Sequence, residues 1–135
     1  MIKVYLAGAA SFFSSYFTKH YRNNFHLSGS YRYTKPNNHV KLFKQIDTHN
    51  LNEIKKHLEK ERPDILINTI ALTSIEECEI NQNQAYQSNV VIPEILAGIC
   101  NELDIKFIQI STDMLWDGSK LYYQESDEPN PLNFY

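Results

Sequence analysis

Short β-branched and aromatic runs alternate with stretches patterned for helices, and this alternation most limits the folds open to the chain. "IKVYLA" (2–7) carries no charge after Lys3, which suits a strand covered on both faces. A helix from about Ser11 to Tyr21 follows, with Phe13, Phe17 and Tyr21 four residues apart. "FHLSGSYR" (25–32) reads as a second strand, "KPNNH" (35–39) as a loop and "VKLFKQID" (40–47) as a third short strand. From Leu51 to Lys60, Leu51, Ile54 and Leu58 share one face opposite charges, the pattern of an amphipathic helix. "RPDILINTIA" (62–71) is the clearest strand. A long helical region spans about Asn81 to Leu103, with Pro93 marking a kink or an internal start. "IKFIQIST" (105–112) is a last strand, and Asp113 to Phe134 reads as loop.

The resulting order, β-α-β-β-α-β-α-β, predicts an α/β fold: a Rossmann-like parallel sheet with helices on both faces, in one domain over 1–135. Ligands of such sheets lie beyond the carboxyl ends of the strands, so the residues just past each strand are where chemistry belongs. At 42% hydrophobic and 21% charged residues the composition is that of a globular chain, and no apolar run reaches the roughly 20 residues that span a bilayer. Cys78 and Cys100 form no CxxC, which predicts two reduced thiols in a cytoplasmic protein. The five histidines have no ligand spacing, so no metal is expected. The formal net charge of −3 hides an asymmetry: seven basic residues precede the first acid, Asp47. That imbalance favours an anion at one end of the fold. Without a basic-aromatic stripe or a nucleic-acid motif, a small anionic ligand is expected in place of DNA or RNA.

The first strand ends at "AGAASFFS" (7–14). A dinucleotide fold wants three glycines there, for a tight turn, for backbone approach to a pyrophosphate and for close helix packing. Gly8 supplies the first, and Ser11 and Ser14 occupy the other two positions. The Ser11 hydroxyl could donate to a phosphate, and the helix start at Ser11, Phe12 and Phe13 presents free N–H groups and a positive dipole end. An ordinary strand-to-helix turn would look the same. At the end of the second strand, where NAD sites commonly carry an acid, stand Ser30 and Arg32; an arginine there suits the 2′-phosphate of NADP. Asp47 could accept from an adenine amino group or cap the helix near Leu51. Ser111 and Thr112 end the last strand with two hydroxyls, able to bond a substrate carbonyl or to cap exposed backbone. Asp113 and Asp117 read as turn formers.

"RPDILINTIALTSIEECE", "QSNVV", "FIQISTDMLWDG" and the closing stretch from Tyr123 to Tyr135 together resemble the extended short-chain dehydrogenase/reductases, in particular the dTDP-4-dehydrorhamnose reductase-like group. The resemblance is specific from Arg62 onward and loose over Met1–Val40. It implies NADPH-dependent reduction of a 4-keto nucleotide sugar, in surface-polysaccharide sugar biosynthesis. By that resemblance Thr112 matches the hydroxyl that holds the keto oxygen, and Tyr135 the proton donor of a Y-x-x-x-K motif. Asn68–Ala71 stands where the family sets a strand end against the cofactor, which implies cofactor contacts at Ile70, Ala71 and Thr73. Asn89 also matches a family position. Met114 departs from the aromatic residue often found at its position. A phenol with a pKa near ~10 needs a neighbouring cation to serve as an acid at neutral pH. The motif lysine falls four residues past Tyr135, as the family's smaller sugar-binding region falls further on, so the chain reads as a fragment without turnover of its own. The resemblance leaves two alternatives open: a non-catalytic NADP-binding or regulatory subunit, which the serines at 11 and 14 would suit, and an NAD-dependent nucleotide-sugar epimerase or dehydratase.

Overall fold

A computed structural model of the chain describes residues 1–36, 43–47 and 50–135. Five strands form one sheet: β1 (Lys3–Ala7), β2 (His26–Tyr31), β3 (Phe43–Gln45), β4 (Ile65–Asn68) and β5 (Lys106–Gln109). Their order is β3-β2-β1-β4-β5, and every pairing is parallel. The strand order reverses at β1, so the switch point expected to hold a ligand falls between the ends of β1, β2 and β4.

Side-chain alternation along β1 explains the two covered faces. Tyr5 and Ala7 point into a core with Ile54 and Leu58 of α2 (Leu51–Glu61) and with Leu96 and Ile99 of α5 (Ile92–Glu102). Val4 and Leu6 point the other way, into a cluster with Leu27, Ile67 and Phe17, the last from α1 (Phe12–Tyr21). A strand buried on both sides has to be apolar at successive positions, as "VYLA" is. Burial holds the His57 imidazole below its ordinary value and the Tyr5 phenol above its own, so both are neutral near pH 7, and Tyr5 Oη and His57 Nδ1 share a hydrogen bond of 3.0 Å.

Helix boundaries follow from their caps. Ser11 is the N-cap of α1, its Oγ accepting from Ser14 N, so the helix begins one residue after the expected start. Asn50 caps α2 through the Glu53 amide, which removes capping of α2 from the alternatives for Asp47. A short helix, α3 (Ile75–Ile80), was absent from the sequence reading; Ser74 caps it at the Glu77 amide. The long helical region resolves into α4 (Gln82–Tyr86), a π-helical turn (Gln87–Val91) and α5, with Pro93 in the first turn of α5. The irregularity thus precedes the proline, whose missing N–H does least harm in a first turn. The third strand is shorter than expected, and residues 40–42 of that expectation, with 37–39 of the expected loop, lie outside the described residues. The segment after β5 is loop apart from one 3-10 turn, Asp113–Leu115.

Both cysteines are free and buried, and burial pushes the Cys100 thiol up to about 11. Among the described residues no helix is long and apolar enough to cross a membrane.

Candidate functional site

The β1–α1 turn is the geometric centre of the site. Gly8 takes a φ of +86°, a conformation that L side chains rarely adopt. Its N–H and that of Ala9 both donate to the Ser30 carbonyl at the end of β2, at 3.1 and 2.7 Å. On the β4 side Thr69 Oγ1 lies 2.9 Å from the Ala7 carbonyl oxygen and 3.0 Å from that of Gly8. The turn is therefore held from both neighbouring strands. Because the Ser11 hydroxyl caps Ser14, it is engaged within the helix start, while the first amides of α1 have no intrahelical acceptor.

Above this turn opens a cleft of about 310 Å³. Gly8, Ala10 and Ser11 form one wall, Tyr31, Arg32, Tyr33 and Thr34 a second, and Thr69 to Leu72 a third. Gln84 and Ser88 complete it. Among the described residues Arg32 is its one charged lining residue, and none of them that line it is an acid. The guanidinium sits 4.6 Å from the centre of the Tyr33 ring, with Nε 3.2 Å from Asp47 Oδ1. The two side chains are 33% and 57% exposed, so this ion pair is of the weak surface kind, and an anion of higher charge can compete for Arg32.

A smaller cavity of about 180 Å³ adjoins the first and shares Ile70 and Ala71 with it. Thr112, Ser111 and Tyr135 line it together, with Asn89, Gln109, Ile110 and Leu115. Two side-chain amides shape the common wall. Asn89 Oδ1 accepts from Leu72 N at 2.7 Å and its Nδ2 donates to the Leu72 carbonyl at 3.0 Å. Asn68, fully buried, accepts from Ile70 N at 3.1 Å and donates to Gln109 Oε1 at 2.8 Å. Thr112 Oγ1 accepts from Met114 N at 3.1 Å, so it caps the 3-10 turn, and its own proton is directed to Asp113 Oδ1 at a long 3.4 Å.

Of the residues singled out from the sequence, Gly8, Ser11, Arg32, Ile70 and Ala71 meet in the larger cleft, and Thr112 and Tyr135 meet in the smaller. The side chains of Phe12 and Phe13 are turned to the surface, leaving only their backbone near the turn. Ser30 is fully buried and reaches the turn through its carbonyl alone. Asp47 touches the site through Arg32, and Thr73 lines neither cavity. Thr69 was missed. It stands one residue past β4, where the strand-end rule could have found it. Tyr33, Thr34, Gln84 and Ser88 had no local signal.

The loop that carries Tyr135 is tied together by Asp117. Its carboxylate accepts from Ser119 N, Tyr123 Oη and Asn130 Nδ2 at 2.8–2.9 Å. These bonds, those to Ser119 first, hold the carboxyl well below the usual carboxylate range. Trp116 stacks on Tyr123 at 4.6 Å, and Phe134 N donates to Glu79 of α3.

Residues 13–135 match the family described as RmlD substrate binding domain. The chain belongs to the RmlD family. This RmlD chain is 32% identical over 133 residues to a protein of Haloferax volcanii named as a probable low-salt glycan biosynthesis reductase, covering 97% of this chain and 44% of that protein. It is 30% identical over 94 residues to the dTDP-4-dehydrorhamnose reductase of Aggregatibacter actinomycetemcomitans, covering 69% and 32%. Among solved structures, a hypothetical dTDP-4-dehydrorhamnose reductase from Sulfolobus tokodaii superposes with a TM-score of 0.89 at 25% identity, over 99% of this chain and 48% of that one. A dTDP-4-dehydrorhamnose reductase from Bacillus anthracis in complex with NADP superposes with a TM-score of 0.84 at 20% identity, over 100% of this chain and 45% of that one. The RmlD chain thus spans less than half the length of these relatives, and the last likeness concerns the fold alone.

Proposed function

We propose that the chain supplies the nicotinamide-cofactor site and the two reacting hydroxyls of an NADPH-dependent reductase acting on a 4-keto nucleotide sugar. The observation that carries this reading is the adjacency of the two cavities: a cleft lined, among the described residues, by Arg32 and no acid shares Ile70 and Ala71 with a pocket lined by Thr112 and Tyr135. The family membership and the names of the relatives support the reaction class.

The residues fit a dinucleotide. Gly8 leaves a bare backbone surface where an added Cβ would meet Thr69 Oγ1 at 2.6 Å, and the first amides of α1, which follow Ser11 in the cleft wall, would serve as donors for a pyrophosphate. Arg32 would hold the 2′-phosphate, exchanging an exposed carboxylate for a dianion. When bound, the cofactor supplies hydride. Thr112 would turn its hydroxyl from the long contact with Asp113 to donate to the keto oxygen, and Tyr135 would donate the proton that oxygen needs as it becomes an alcohol. Asn89 and Asn68 keep the wall between cofactor and sugar in place through the Leu72 and Ile70 backbone.

Calorimetric titration of the chain with NADPH and NADH tests the cofactor assignment; absence of binding by both would remove it. Arg32→Ala should weaken NADPH at least tenfold, from the loss of a charge-assisted bond of about 1.5–3 kcal/mol, and leave NADH nearly unchanged. Equal losses would reverse the NADP assignment and favour an NAD-dependent epimerase-like role. The full gene product is then assayed for NADPH oxidation across a panel of dTDP-4-keto sugars. Tight NADPH binding without turnover would favour a regulatory subunit.

A further inference from the structure

Among the described residues, Thr69 is the one side chain that grips the β1–α1 turn from outside it. The Ser30 clamp on the other side is made wholly of backbone, so substitution cannot remove it. The Thr69 hydroxyl proton points at carbonyl oxygens, which only accept, and is shared between Ala7 at 2.9 Å and Gly8 at 3.0 Å. Ser14 Oγ lies 3.4 Å from Thr69 Oγ1, so by exclusion Ser14 is the donor in that contact. Ser14 is fully buried. The Gly8 carbonyl also takes the Ser11 amide at 2.9 Å, which makes it the point where strand, turn and helix start are fastened together.

We propose that Thr69 is a positioning residue for the phosphate-binding turn, and that the Ser14–Thr69 hydroxyl pair sets the pose of Gly8–Ser11 in a chain whose second and third glycine positions are serines. The proposal rests on reading the cleft as a nicotinamide-dinucleotide site. In a glycine-rich turn, bare backbone lets the helix settle against the sheet. Here a serine on the helix meets a threonine on β4's end, and a hydrogen-bonded contact takes the place of close packing. The pair acts on the pyrophosphate part of the ligand, which NADPH and NADH share, so it affects both alike.

The test is a series at position 69. Thr69→Ser keeps the hydroxyl and should bind both cofactors within about twofold of wild type. Thr69→Ala loses the bond and should weaken both about three- to tenfold. Thr69→Val should weaken both more, because a methyl group sits badly at 2.9–3.0 Å from two carbonyl oxygens, where carbon–oxygen contacts need about 3.3 Å or more. The NADPH-to-NADH ratio should stay constant through the series. Amide hydrogen exchange on the chain without ligand gives a second readout: Ala9 and Ser11 amides should exchange faster in the order Ser, Ala, Val, with β5 amides unchanged. Wild-type binding of neither cofactor would defeat the cofactor reading, and the exchange order would still decide the latch. If Thr69→Ala matches wild type in the exchange of Ala9 and Ser11, or if its affinity loss is not restored by Thr69→Ser, the proposal is wrong. Should Thr69→Val fail to fold, Ser14→Ala substitutes for it, with a smaller rise in Ser11 exchange expected and none refuting the pair.

Discussion

Gly8→Ala puts the geometry of the turn to a quantitative test. Two costs add. The φ of +86° at Gly8 is one that a Cβ makes unfavourable by about 1–2 kcal/mol. The new Cβ also falls 2.6 Å from Thr69 Oγ1, and 3.2 and 3.3 Å from the Thr69 carbonyl carbon and Ile70 nitrogen. The hydroxyl can rotate away, but only by giving up its bond to the Ala7 and Gly8 carbonyls, worth about 0.5–1.5 kcal/mol. The backbone atoms of β4's end cannot rotate away and have to shift. The sum predicts a loss of about 2–4 kcal/mol, read by urea denaturation with an unchanged m-value. Thr69→Ala removes the atom at 2.6 Å, so the double variant should lose at least about 0.5 kcal/mol less than the two singles together. A Gly8→Ala loss under about 1 kcal/mol would mean that the turn is not held as described. Strict additivity with Thr69→Ala would mean that the hydroxyl is not what the new methyl meets.

Two further outcomes are expected. Asn89→Ala should cost about 1–2 kcal/mol in urea denaturation, because the half-buried Leu72 N–H loses its partner and the Leu72 carbonyl keeps only the weak donor of the Cys78 thiol, and Asn89→Asp should not restore it fully since a carboxylate cannot donate to that carbonyl. Asp117, with its carboxyl depressed in the folded chain, stabilises the final loop above the ordinary aspartate value of 3.8 and loses that contribution as pH falls below it. Emission of Trp116, the sole tryptophan, should therefore hold steady from neutral pH down to about 4 and change below, whereas Asp117→Asn should show the altered emission at neutral pH.

The sheet was legible because burial on both faces leaves a compositional trace: "VYLA" and "ILIN" have no room for charge. The ends of strands were legible for the same reason, and with them Gly8, Arg32 and Thr112, whereas Ile70 and Ala71 came from the family resemblance. Elements fixed by single hydrogen bonds left weaker traces. The helix Ile75–Ile80 depends on the Ser74 cap and is too short for a periodic stripe, and the π-helical turn depends on where Asn89 reaches Leu72. Ser30 and Phe12 sit in the right sequence neighbourhood, yet their side chains face inward and outward respectively, a distinction that strand and helix phase decide only once the turn between them is known. Thr69 stands at a legible strand end, but its part there lies in two carbonyls more than sixty residues away, which the sequence does not show.

Ile70 and Ala71 belong to both cavities, so the partition between them is two residues wide. A side chain pressed from one compartment has only the other to move into, so a change of volume at either residue is felt in both: enlarging Ala71 narrows the space beside Arg32 and the space beside Thr112 and Tyr135 together.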